Sequence, residues 1–102
     1  MSKINQLQNL LRETPDDSFL NYALALEYTK INSFEEATII FENLLLNDPD
    51  YLATYLHYGN LLAQLGQNEK AAGIYQKGIV IAEKQNKIKT RQEIEQALFL
   101  LD

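Results

Sequence analysis

The chain of 102 residues has no cysteine, no tryptophan, two prolines, four glycines and a single histidine. Without cysteine there is no thiol nucleophile, no thiolate metal site and no disulfide. The lone His57 falls on a predicted helix without a carboxylate at ligand spacing, and reads as a surface or packing side chain rather than a ligand or base. No apolar run approaches the ~18 residues that a membrane span needs. The first residues, M-S-K-I-N-Q-L-Q, lack the apolar centre of a signal peptide, so a cytoplasmic, membrane-free protein is expected. There is no glycine loop for phosphate and no nucleophile motif. The acidic pairs Asp16/Asp17 and Glu35/Glu36 stand where helix N-termini are expected, and capping explains them. Asp48-Pro49-Asp50 is a turn, not a calcium loop. Neither catalysis nor a metal or cofactor is expected.

Net charge is -5. Residues 1–83 hold 11 acidic and 5 basic side chains, and residues 84–102 hold four basic and three acidic. An acidic body repels phosphate, so nucleic acid is not an expected partner. The run Lys84, Lys87, Lys89, Arg91 is the local exception, and complementing a helix C-terminus accounts for it. Hydrophobic residues make up 46% of the chain, and strand-type runs of Val, Ile and Thr are missing. This composition points to one all-α domain.

Six helices follow from the apolar spacing and the caps. Residues 3–13, capped by Ser2, carry Ile4, Leu7, Leu10 and Leu11 on one stripe. Thr14-Pro15 stops that helix. Residues 18–30 follow the caps offered by Asp16 and Asp17. Their apolar side chains form two rows, Leu20, Leu24, Tyr28 and Phe19, Tyr22, Ala23, Leu26, so this helix must pack on two sides or present a binding face. Asn32 is the expected left-handed residue of the next turn, and Ser33 with Glu36 reads as a capping box for residues 34–47. Asp50 is expected to cap a helix over 51–64. Gly66 makes the turn to a helix from about 68 to 84. After a loop over 85–89, Thr90 and Glu93 read as a capping box for a last helix over 90–101.

Pro15 and Pro49 stand 34 residues apart, and a shift of 34 aligns eight identical residues. They are Asn9/Asn43, Leu10/Leu44, Leu11/Leu45, Pro15/Pro49, Asp16/Asp50, Glu35/Glu69, Ala37/Ala71 and Ile40/Ile74. These fall on breaks, caps and core positions, and Ala25/Gly59 and Phe41/Tyr75 keep their type. The pattern resembles the tetratricopeptide repeat, a helix–turn–helix unit written W-x2-L-G-x2-Y…A-x3-F…P. Residues 16–49 supply Leu24, Ala25, Tyr28, Ala37, Phe41 and Pro49, with Asn21 at the tryptophan position. Residues 50–83 supply Tyr55, Tyr58, Gly59, Leu62, Ala71 and Tyr75, with Glu83 at the proline position. Residues 3–14 resemble the second half of a preceding repeat, and residues 90–101 read as a closing helix.

The resemblance implies a right-handed superhelix of paired helices. It also implies small residues where paired helices approach, aromatic residues between neighbouring units, and a concave groove lined by the first helix of each unit. Aligned on the family, the groove positions are Phe19, Tyr22, Leu26, Thr29 and Lys30, then Ala53, Leu56, Asn60, Ala63 and Gln64. A clamp for a peptide carboxylate is not expected, because only Asn60 and Lys30 could serve it. The implied function is a non-catalytic module binding a peptide or partner helix. The alternative is a self-associating module joined through Phe19, Tyr22 and Leu26, and a third reading has residues 3–13 covering those side chains as core.

Overall fold

A computed structural model describes residues 2–101. These residues form six α-helices and no strand: α1 (Lys3–Glu13), α2 (Ser18–Lys30), α3 (Phe34–Asn47), α4 (Ala53–Gln64), α5 (Asn68–Lys84) and α6 (Ile88–Phe99). The chain divides after Tyr51 into two compact units, each a three-helix assembly. In the first, α2 packs against both α1 and α3. In the second, α5 packs against both α4 and α6, and α4 also touches α6.

Local chemistry sets the ends of these helices. The Ser2 hydroxyl accepts from the Asn5 N–H at 3.1 Å, and Asp17 Oδ1 accepts from the Leu20 N–H at 2.9 Å. Each satisfies one of the donors left unpaired at a helix start. The capping box expected at Ser33 does not form, since Ser33 precedes α3 without a side-chain cap bond. The turn there is held from the other side. Asn32 adopts φ 61°, and the Ser33 N–H donates back to the Tyr28 carbonyl at 2.9 Å. The same backbone pattern recurs at Gly66, with Gln67 donating to Leu62 at 2.8 Å, and at Asn86, with Lys87 donating to Ala82 at 2.9 Å. These are Schellman turns, in which a left-handed residue lets the chain satisfy the last carbonyls of the helix before it.

Two predicted helix starts are corrected. α4 begins at Ala53 rather than Tyr51, because the Tyr51 N–H is held by the Asp48 carbonyl at 3.0 Å in the preceding turn. α6 begins at Ile88 rather than Thr90, because Asn86 reverses the chain one residue after the α5 cap, leaving Lys87 to precede the new helix. Thr90 therefore lies inside α6, and Lys89 and Arg91 belong to its first turns. Only Lys84 of the basic run sits in the last turn of α5.

Each unit has its own core. Leu24, Ala25, Ala37, Phe41 and Leu44 are buried in the first. Tyr55, Tyr58, Leu61, Leu62, Ala71, Ile74, Tyr75, Ala82 and Ile94 are buried in the second. Fully burying an aromatic side chain such as Phe41 contributes about 1.5–3 kcal/mol relative to exposure. The small residues stand where helices meet. A Cβ on Gly59 would sit 2.6 Å from Cδ1 of Tyr75, and one on Gly78 would sit 2.6 Å from Cβ of Tyr55. Tyr75, expected between neighbouring units, lies against Gly59 of its own helix pair and donates its hydroxyl to Asn60 Oδ1 at 2.6 Å.

Candidate functional site

In the first unit, α2 is apolar on more than one side, as its two sequence rows require. α1 engages one side: Gln8 Nε2 donates to the Tyr28 hydroxyl at 3.1 Å, and Lys3 Nζ stands 3.9 Å from Glu27. Phe19 does not join the core and is 62% exposed. Tyr22 and Leu26 are half-buried, and Lys30 is exposed. The Phe19 and Tyr22 rings lie 6.4 Å apart between centroids, tilted by 47°. Tyr22 in turn meets Tyr51 at 5.8 Å and 59°. Both geometries are in the range favoured by aromatic pairs. Burial pushes the Tyr22 hydroxyl above its ordinary value near 10. Tyr51 is raised first by burial, then by Tyr22 and the carboxylates of Asp17 and Asp48.

The polar groups at this face are fixed by their neighbours. The Ser18 hydroxyl donates to Asp48 Oδ2 at 2.5 Å, tying the start of α2 to the turn after α3. Thr29, expected in the groove, turns its hydroxyl onto its own helix and donates to the Ala25 carbonyl at 2.9 Å. Lys30 Nζ stands 3.0 Å from Glu27 Oε2 and shares that carboxylate with Lys3.

In the second unit, Ala53 and Leu56 line an open cleft of about 390 Å³ together with Leu52, His57, Gln85, Lys87, Thr90 and Glu93. Burial holds His57 below its ordinary value of 6.5, and Glu93 acts in the opposite direction. Asn60 is exposed but committed to Tyr75, and Gln64 is exposed at the end of α4. Neither Asn60 nor Gln64 is among the residues lining the cleft. The sequence reading missed Tyr51 in the first unit and Lys87, Thr90 and Glu93 in the second. Tyr51 lies just after the Pro49 turn, outside the helical pattern. The other three belong to the segment that carries no repeat signature.

No family model matches the chain. The solution structure of a tetratricopeptide repeat domain protein from Salinibacter ruber is 35% identical, covers 86% of this chain and 89% of its own, and superposes with a TM-score of 0.82. The chain belongs to the tetratricopeptide repeat family. A crystal structure of a tetratricopeptide repeat domain protein from the same organism agrees at 36% identity and a TM-score of 0.77, over 81% of this chain and 92% of that one. A Bordetella parapertussis protein shares the fold at 21% identity and a TM-score of 0.85, over 99% of this chain and 88% of its own. The pre-mRNA-splicing factor CLF1 of Eremothecium gossypii is 32% identical over 65 residues. Those residues are 64% of this tetratricopeptide repeat chain but 9% of the splicing factor, so the chain spans less than a tenth of that relative.

Proposed function

We propose that this tetratricopeptide repeat chain is a non-catalytic module that binds a peptide or partner helix on the faces of its first-helix positions. The contacts are Phe19, Tyr22, Leu26 and Lys30 on α2, and Leu56, Asn60 and Gln64 on α4. The observation that carries this reading is Phe19, a large apolar ring 62% exposed and continued by the half-buried Tyr22 and Leu26. Aromatic side chains at low entropy cost, with apolar neighbours, are the usual anchors of a peptide or helix interface. Tyr22→Glu and Leu56→Glu should each abolish capture of partners from a lysate while helical circular dichroism is kept. Capture retained by both variants would contradict the assignment.

The same exposed ring favours a second reading, self-association through Phe19, Tyr22 and Leu26. A solution mass separates the two.

A further inference from the structure

The Phe19, Tyr22 and Tyr51 rings do not stand alone. Asp17 immediately precedes α2, two residues before Phe19, and its Oδ1 is held by the Leu20 N–H. Asp48 follows α3, and its carbonyl accepts from the Tyr51 N–H at 3.0 Å while its Oδ2 accepts from the Ser18 hydroxyl. Two carboxylates are thus anchored at the edge of one aromatic cluster, and among the described residues neither forms an ion pair. Both carboxylates act on the Tyr51 hydroxyl. The first unit is predominantly acidic: residues 1–51 hold nine acidic and three basic side chains, against five and six in residues 52–102.

We infer that this face of the first unit takes an arginine-bearing segment of a partner protein, its guanidinium lying on the rings of Phe19, Tyr22 and Tyr51 and facing the carboxylates of Asp17 and Asp48. The inference rests on the protein-binding reading and adds the chemistry of the partner. Aromatic faces attract cations through their quadrupole, and the planar guanidinium both stacks on rings and pairs with carboxylates. The anchoring bonds matter because they hold the carboxylates in place before a ligand arrives, so little ordering is left to oppose binding. An acidic or purely apolar segment would leave both carboxylates uncompensated.

The test is a nitrogen-detected amide titration of the full chain with acetyl-Gly-Arg-Gly-Arg-Gly-amide, beside the same peptide carrying Glu or Leu in place of Arg. Saturable shifts of the amides of residues 17–22, Asp48, Asp50 and Tyr51 are expected for the Arg peptide alone. Asp17→Asn with Asp48→Asn should weaken it about tenfold, since both charges are lost from a partly desolvated contact. Asn retains the oxygen that accepts from Leu20 and from Ser18, so the helical circular dichroism should not change. Equal binding of the Leu peptide at the same amides would overturn the cation assignment and leave the groove reading standing. Silence from all three peptides at these amides would remove this face as the site, with the groove reading then resting on Leu56→Glu and its capture assay. A multimer in light scattering that Phe19→Ala dissolves would overturn the inference by giving the face to a second copy.

Discussion

At the scale of single residues, this chain is governed by where side chains are missing. Gly59 and Tyr75 form one contact, in which the absent Cβ makes room for the ring and lets its hydroxyl reach Asn60. Gly59→Ala should therefore cost about 1–3 kcal/mol in a denaturant melt, because overpacking forces the ring or the helix to move. Gly73 is the internal control. A Cβ there meets nothing within 4 Å, so Gly73→Ala should stabilise α5 by roughly 0.5–1 kcal/mol through helix propensity. Equal effects of the two substitutions would contradict the packing account. These small positions were legible in the sequence, since Ala25/Gly59 and Ala37/Ala71 recur at the repeat period, and the three alanines are fully buried. His57 adds a pH term. Its folded value lies below 6.5, so the neutral ring is the form the fold favours. Its contribution is present above 6.5 and lost as pH falls through the lowered value. His57→Gln should flatten that part of the acid limb in pH-dependent melts.

At the scale of elements, two devices end the helices, and only one has a strong sequence mark. Pro15 and Pro49 follow the ends of α1 and α3, and a proline is visible in any reading. The other device is a left-handed residue followed by a back-donated N–H. Gly66 and Asn32 announced it, but Asn86 did not, because it lies in a polar run where any residue could turn. The physical consequence is the length of α5. With Glu83 where the repeat carries proline, nothing stops the helix, and it runs 17 residues against 14 for α3. The chain then reverses at Asn86 instead, so α6 starts at Ile88, two residues before Thr90. The capping signature at Thr90 misled for the same reason: a Ser/Thr-x-x-Glu pattern marks a start only where the backbone has already left the helix. Gly66 is at φ 79°, where a Cβ clashes with the backbone, so Gly66→Ala should lower stability by about 1–2 kcal/mol although no side chain is nearby. Asn86→Gly should change stability in the opposite direction, by a smaller amount, because Asn already tolerates the left-handed region. A melt in which both substitutions are silent would remove the turns from the list of elements that hold the helices together.

For the molecule as a whole, the charge distribution gives the two proposed uses of the exposed aromatic face opposite salt responses. Residues 1–51 carry three times as many acidic as basic side chains, while residues 52–102 are nearly balanced. A symmetric dimer through Phe19, Tyr22 and Leu26 would place the same patch on both sides of its interface. It would therefore bring Asp17 and Asp48 of each copy towards those of the other. Like charges brought together at an interface oppose association, and salt relieves that opposition. Light scattering after size exclusion should accordingly give one chain mass, 11.7 kDa, in low salt. If the apolar face self-associates at all, the mass should rise with ionic strength and not fall. The arginine-bearing partner inferred for the same face should behave in the reverse way, because its attraction to Asp17 and Asp48 is screened by salt. The two salt responses have opposite signs, so one pair of titrations separates them. A stable multimer in low salt that Phe19→Ala dissolves would establish self-association and displace the monomeric binding module as the function of this face.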